Sequence, residues 1–295
     1  MPSILLQDIA SSVKYKHMKL SAVLATRNEE ENIARCLESV KSIADEIIVF
    51  DEYSTDNTKK IAESFGAKVY LEPHHDIFHI TKQKAIDTAK GEWILQLDAD
   101  EVVIPELAKD IVSVLSNQPL VTNNNPLFAR HQKLIEERDG QIGTDKGEVV
   151  AFFIPRRNMF LGKPLIHAGV YPDGVIRLFK KRKAYLPCKS VHEQMVIDGK
   201  VSWLNGDLLH YDSPTLKRYL MRLNRYTDRH ADELKEKKVP KDVFAFIQYT
   251  IYKPLYTFVM LYLRHKGFLD GVNGFLWSFF SALHFPIAYF KYVTS

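Results

Sequence analysis

The chain has 295 residues, 46% hydrophobic and 26% charged, enough for one large core or two small ones and ordinary for a folded globular protein. A formal net charge of +4 suits acidic phosphates or anionic lipid but falls well short of the dense basic balance of a nucleic-acid binder, so no nucleic-acid partner is expected. The two cysteines, Cys36 and Cys188, lie far apart in no metal-type spacing, which points to a reducing compartment such as the cytoplasm.

Residues 1–18 hold no apolar stretch of signal-peptide length and are read as an N-terminal extension with no export signal. Leu20 to Thr26 (LSAVLAT) reads as a buried strand, followed by a helix from about Glu30 to Lys41 with Ile33, Leu37 and Val40 on one face. Glu46 to Phe50 is a second strand, and Asp56 to Phe65 a second helix stopping at Gly66. Lys68 to Leu71, a helix from Thr81 to Lys90 and the strand Trp93 to Leu97 complete a βαβαβαβ order. That order implies a parallel sheet with helices on both faces and a ligand site at the carboxyl ends of the strands.

Asn117 to Gly147 is polar and reads as an inserted loop, helical around Leu127 to Glu137. From Glu148 the pattern turns to β, in EVVAFFI, GVIRLFKK, AYLPCKSVHEQMVI and VSWLNGDLLHY. Asp212-Ser213-Pro214 starts a long basic helix with Lys217, Arg218, Arg222, Arg225 and Arg229. Two aromatic stretches follow, Val243 to Leu263 and Phe275 to Phe290. Gln248, Lys253 and Pro254 interrupt the first, and the second is too short to span a bilayer, which takes roughly 20 apolar residues. Both read as helices lying in a membrane interface, rich in the Phe and Tyr that favour the headgroup zone, with core helices capping the domain as the alternative.

Asp98-Ala99-Asp100 follows directly after the strand WILQL. Two carboxylates one residue apart at a strand end form a hard oxygen site suited to Mg²⁺ or Mn²⁺ bound with substrate phosphates. The first two strands end in Thr26-Arg27-Asn28-Glu29 and in Asp51, which precedes the helix-capping Ser54-Thr55-Asp56 and is free to accept from a base N–H. Neither G-x-G-x-x-G nor G-x-x-x-x-G-K-[ST] occurs at these strand ends, which argues against a nicotinamide enzyme and a P-loop protein.

Through ATRNEEENI, VFDEYSTDNT and LQLDADE, in that order, the chain resembles the family 2 glycosyltransferases of the GT-A fold. It is most similar to the subgroup containing the lipopolysaccharide inner-core β-1,4-glucosyltransferases. Pro155-Arg156-Arg157-Asn158, Pro172-Asp173-Gly174, Arg177-Leu178-Phe179, Val191-His192-Glu193 and Gly267-Phe268-Leu269-Asp270-Gly271 extend the match over most of the chain.

The resemblance implies an α/β fold, a GT-A (Rossmann-like nucleotide-diphospho-sugar transferase) domain over 19–213 with a C-terminal helical, membrane-associated region over 214–295. Within the domain, 19–116 is the nucleotide-binding half, 117–147 the insert and 148–213 the acceptor half. Thr26, Arg27, Asn28 and Glu29 line the nucleotide pocket, and Asp51 holds the base. Lys82 and Gln83 stand where the family usually has Arg-Asn beside the donor. Asp98, Ala99 and Asp100 meet ribose and metal, and His210 completes the metal shell or else is a strand histidine bonded within the core. Glu193 is the implied base that deprotonates the acceptor, with His192 orienting it or binding acceptor and Asp173 in reserve. Arg156, Arg157 and Arg177 are phosphate clamps or solvated strand positions.

The implied activity is a metal-dependent inverting hexosyl transfer, from UDP-glucose as the best guess, onto a glycan or lipid-linked acceptor of bacterial surface polysaccharide. The enzyme would sit in the cytoplasm, peripheral to the inner face of the membrane. The rival readings are a polyprenyl-phosphate sugar synthase, a nucleotidyltransferase and a non-catalytic nucleotide-sugar-binding protein.

Overall fold

The computed structural model describes residues 19–118, 125–190 and 193–295. The chain divides into two compact units, one comprising residues up to Arg156 and Pro172–His210, the other Arg157–Tyr171 and Tyr211–Ser295.

Unit one opens with β1 (Leu20–Thr26), α1 (Ile33–Val40), β2 (Glu46–Asp51), α2 (Thr58–Ser64), β3 (Lys68–Leu71), α3 (His79–Thr88) and β4 (Trp93–Leu97). Every residue of β1, β2 and β4 is buried, as apolar runs covered on both faces must be. β1 pairs in parallel with β2 and β4, and the register sets Thr26 beside Asp51 and Leu24 beside Leu97. The carboxyl ends of three strands therefore converge. In α1 the spacing of Ile33, Cys36, Leu37 and Val40 gives one buried stripe. Gly91, between α3 and β4, lies so close to β1 that a Cβ there would meet Ser21 N at 2.7 Å.

β5 (Glu101–Val103) and α4 (Pro105–Leu115) come next. α4 was not expected, although Pro105 in its first turn and Leu107, Ala108, Ile111, Val114 and Leu115 on its buried face are ordinary helix signals. α5 (Pro126–Asp139) is the helix expected within the insert, its Asn125 side chain accepting from Leu127 N. Asn123 and Asn124 of the asparagine run lie outside the described residues.

The later strands are β6 (Val149–Phe160), β7 (Lys163–Pro164), β8 (Asp173–Lys180), β9 (Ala184–Tyr185), β10 (Val196–Ile197), β11 (Lys200–Trp203) and β12 (Leu208–Ser213). Among the described residues of AYLPCKSVHEQMVI, β9 and β10 are the strand pair and the rest is loop. The main sheet runs β3-β2-β1-β4-β8-β6-β12-β5, parallel through its first four strands, with β8 antiparallel to both β4 and β6. One core layer holds Leu24, Leu37, Ala62, Leu107 and Ile111, the other Val23, Ala85, Ile86, Ile135 and Phe153. Helices thus cover both faces of a mixed α/β sheet.

In unit two, β6 and β12 end, and α6 (Leu216–Glu236) begins with Thr215, not the preceding Asp-Ser-Pro, as cap: its side chain accepts from Arg218 N at 3.2 Å. An aromatic helical run follows, built from α7 (Val243–Ile247), a π turn Gln248–Tyr252, α8 (Lys253–Val259) and a second π turn Met260–Arg264. A 3₁₀ turn, Gly267–Asp270, leads into α9 (Gly271–Thr294). Among the described residues no helix is long and apolar enough to cross a membrane.

Asp270 ties the unit together, its carboxylate accepting from Ile166 N at 3.1 Å and His167 N at 2.8 Å and meeting His167 Nδ1 at 2.8 Å. Phe160, Leu165 and Tyr219 form one apolar cluster; Ala231, Leu234, Ala245, Tyr249, Tyr289 and Tyr292 form another.

Candidate active site

The converging strand ends of unit one enclose a cavity of about 350 Å³. Ala25, Thr26, Arg27 and Glu29 line it from the end of β1, Glu52 from the end of β2, and Asp98, Ala99 and Asp100 from the end of β4. His74, Phe78 and Lys82 close one side and His210 another.

Asp98 is the electrostatic centre. Lys82 Nζ lies 2.5 Å from one carboxylate oxygen and Arg177 Nη2 2.5 Å from the other. Burial alone would push the Asp98 carboxyl up, but Arg177 and then Lys82 overcome it and hold the group well below the usual carboxylate range. Arg177 arrives through the β4–β8 register, in which Leu95 pairs with Leu178, so the next position faces Gln96. Its guanidinium reaches Gln96 Oε1 at 2.5 Å and Glu101 Oε1 at 2.7 Å. Burial lowers the Arg177 pKa, yet Asp98 and Glu101 raise it above the ordinary value.

Arg177 is thus neither solvated nor a surface clamp. It is a buried cation shared by two carboxylates. Arg156 is engaged as well: β6–β8 pairing sets it beside Asp173, Nη2 to carboxylate 2.7 Å, with Glu101 at 3.5 Å. Arg157 belongs to unit two.

Asp100 has a different neighbour. β12 pairs with β5 so that His210 faces Glu101, which brings His210 Nε2 to 3.6 Å from the Asp100 carboxylate. Burial, reinforced by Arg156, pushes His210 down to about 3, so the imidazole is neutral and offers a lone pair. A carboxylate oxygen and a neutral imidazole nitrogen separated by an ion-sized gap are a donor set that fits Mg²⁺ or Mn²⁺. Asp98, with a cation on each carboxylate oxygen, fits that role less well than Asp100.

Several expected residues are occupied elsewhere. Asp51 is 1% exposed and not free for a base: it accepts from Ser54 N at 2.9 Å, Ser54 Oγ at 2.5 Å and Thr26 Oγ1 at 3.3 Å. Asn28, at a left-handed φ of 54°, joins the two loops by accepting from Thr55 N at 2.8 Å and donating its own N–H to Ser54 Oγ at 2.8 Å. Gln83 accepts from Leu186 N at 2.7 Å and donates to Asp87 at 2.7 Å, and it does not line the cavity.

Glu193 accepts from Lys189 N at 2.9 Å and lines a neighbouring concavity with Asp139, Gly143 and Ile197, not the one that holds Asp98. His192 lies outside the described residues. His79 Nδ1 is buried without a hydrogen-bond partner among the described residues, and burial and Lys82 lower the pKa of the ring against the opposing pull of Glu193 and Asp98.

Sequence reasoning missed Glu52 and Glu101. Glu52 is 2% exposed, meeting His74 Nδ1 at 2.6 Å and accepting from Thr81 Oγ1 at 2.5 Å. Glu101 is fully buried and accepts from Asp98 N at 2.9 Å. Each directly follows a noted carboxylate, and that adjacency was the available signal.

Residues 21–153 match the glycosyl transferase family 2 model. An uncharacterized glycosyltransferase of Rickettsia bellii is 29% identical over 269 residues, covering 88% of this chain and 80% of that protein. The lipopolysaccharide core biosynthesis glycosyltransferase LpsC of Rhizobium meliloti is 25% identical over 280 residues, 90% of this chain and 91% of its own. Among solved structures, Staphylococcus aureus TarS 1–349 superposes with a TM-score of 0.40 at 17% identity, covering 90% of this chain and 81% of that one. The family match thus spans β1, β2 and β4, the strands whose carboxyl ends line the cavity.

Proposed function

We propose that the protein transfers a hexose, with UDP-glucose as the leading donor, onto a glycan or lipid-linked acceptor of lipopolysaccharide core, inverting the anomeric carbon. The observation that carries this reading is the single cavity in which Lys82, Asp98, Asp100 and His210 converge at the carboxyl ends of β1, β2 and β4. The similarity along almost the whole of LpsC supports the acceptor class.

In the proposed reaction the acceptor oxygen bonds to the anomeric carbon as the bond from that carbon to the diphosphate oxygen breaks, the electron pair leaving with the diphosphate. Asp98, kept ionised by its two cations, accepts from ribose hydroxyls. Lys82 and Arg27 bring positive charge to the phosphates. Asp100 and His210 would hold Mg²⁺ or Mn²⁺, which when bound supplies charge neutralisation for the departing diphosphate. Glu193, the base that the family resemblance implies, takes the acceptor proton, with Asp173 in reserve.

The aromatic helices of unit two dock on the cytoplasmic face of an anionic membrane. Their support is a run of exposed apolar side chains, Phe244 at 84% and Val272 at 72% among them, with exposed cations Lys217, Arg225 and Arg229 on α6.

Thermal shifts against UDP-, GDP-, CMP- and dTDP-sugars, with and without Mn²⁺, test the donor site. A ligand that binds only the native state adds about 2.7 kcal/mol at a hundred times its Kd. One nucleotide class should stabilise the protein in a metal-dependent way, and no shift with any of the four removes the donor reading. Asp100→Ala should lower transfer on the order of 100-fold or more with an unchanged circular dichroism spectrum. Glu193→Gln should retain donor binding and lose transfer; transfer surviving there and lost in Asp173→Asn moves the base to Asp173.

A further inference from the structure

Unit two contains a cleft of about 250 Å³ between the end of β12, α6 and α9, which the donor chemistry does not use. We propose that it is a pyranose-binding subsite for a sugar ring of the acceptor; the acceptor role rests on the transferase reading above.

Three aromatic side chains, Tyr219, Tyr226 and Trp277, supply apolar π surface to the cleft. The Tyr219 and Trp277 ring centroids are 6.0 Å apart, and Phe160, in contact with both, holds them. Such faces suit the C–H side of a sugar ring, which is apolar while its rim is all hydroxyl. The polar partners for that rim are present. Arg222 is ion-paired with the Asp212 carboxylate and donates to Ser213 Oγ at 3.3 Å and Asp212 O at 3.4 Å, so a planar donor fork and a carboxylate acceptor stand side by side. Neighbouring hydroxyls of a sugar both donate and accept, which matches that pairing.

Tyr219 Oη, Trp277 Nε1 and Ser281 Oγ also belong to cleft-lining residues, and none makes a hydrogen bond among the described residues. Burial pushes the Tyr219 hydroxyl up to about 12, so it stays a donor.

The competing occupants fit less well. An alkyl chain would cover the Arg222–Asp212 pair, the tyrosine hydroxyl and the serine without returning a hydrogen bond, at a cost of about 1–3 kcal/mol per stranded group. A phosphate would meet the Asp212 carboxylate beside the guanidinium. The volume lies just under the roughly 300 Å³ at which drug-sized pockets begin, a size for one sugar ring.

The test is a tryptophan-fluorescence titration of the full chain with methyl glycosides of gluco, galacto, manno and heptose configuration, and with n-octanol. Trp93 and Trp203 pack within unit one, and Trp277→Phe identifies which part of the signal comes from the cleft. At least one pyranoside should give a saturable Trp277 signal at millimolar concentration, weakened tenfold or more by Ser281→Leu, which fills the cleft, and by Arg222→Met. Both variants should retain the wild-type circular dichroism spectrum. With acceptor present, Ser281→Leu should raise the acceptor KM while donor hydrolysis by water is unchanged.

No saturable signal from any pyranoside, equal binding by Ser281→Leu, or a response to octanol alone overturns the subsite. The titration needs no donor, whereas donor hydrolysis by the wild type tests the transferase reading separately.

Discussion

A guanidinium taken out of water costs several kcal/mol, and Arg177 is held there because Gln96, Asp98 and Glu101 all meet it. Removing it would strand the buried Glu101 carboxylate and leave Asp98 to Lys82 alone, so Arg177→Met should destabilise unit one by about 3–5 kcal/mol, read as a lower urea midpoint. Arg156→Met, which removes a half-buried partner of Asp173, should cost less. The same network explains which site residues the sequence disclosed. Asp98, Asp100 and His210 were visible because strand ends carry ligands and these residue types bind metal. Glu101 was hidden because its role depends on Arg177 arriving from a strand 76 positions away. Asp51 and Glu52 are neighbours of like charge, and only folding decides that the first is consumed by Ser54 while the second faces the cavity.

Strands buried on both faces need polar pins between them, and Glu46 is one. On β2 it accepts from Ser21 Oγ on β1 at 2.7 Å, from Lys90 N at 2.6 Å and from Lys68 Nζ at 3.0 Å. Burial alone would raise its pKa, but the bonds from Ser21, Lys90 and Lys68 bring it below the ordinary value. A carboxyl with a depressed folded pKa stabilises above its unfolded pKa of about 4.3, and that contribution disappears as pH falls through the folded value. Glu46→Gln should therefore lower the melting temperature at pH 7 and narrow the gap to wild type in the acid range below about pH 4, followed by a melting series from pH 7 to 3. In unit two, Gly274 on α9 approaches the 3₁₀ turn so closely that a Cβ would lie 1.9 Å from Gly267 O. Gly274→Ala should destabilise by about 1–3 kcal/mol, visible as a lower denaturant midpoint. Elements with one dominant period were legible: β1, β3 and β4 fall where the apolar runs predict, and α1 differs only at its ends. The AYLPCKSVHEQMVI stretch misled because β-rich composition does not create a pairing partner. α4 is less legible because it begins two residues after the acidic strand end, with only Pro105 and its apolar spacing to mark it.

At the scale of the whole chain, composition gave the globular class, and the order of motifs gave the family resemblance that the match over residues 21–153 repeats, since no single motif is specific and their sequence is. What composition could not give is which apolar side chains stay outside. Val243, Phe244, Leu255 and Val272 remain at least 61% exposed, an apolar surface open to a partner. If that partner is a lipid bilayer, the protein should sediment with vesicles containing phosphatidylglycerol and much less with neutral ones, and salt should weaken the binding. Phe244→Ser with Val272→Ser should reduce it about tenfold or more, since each large apolar side chain is worth roughly 1.5–3 kcal/mol on full burial. Equal sedimentation of the double variant removes the membrane assignment.

The two π turns at Gln248–Tyr252 and Met260–Arg264 bear on how this surface tolerates insertions and deletions. A π turn is an α-helix with one residue too many, looped out within a single turn while the helix on either side keeps its phase. Loss of one residue from Gln248–Tyr252, which has α-helix before and after it, would restore an α turn and leave the flanking apolar stripe facing the same way, whereas Met260–Arg264 closes its helix at His265. Loss of one residue from α6 would instead rotate everything beyond it by about 100°. Loss of one residue should therefore be structurally silent at Gln248–Tyr252, an internal helical position of a kind that ordinarily admits none.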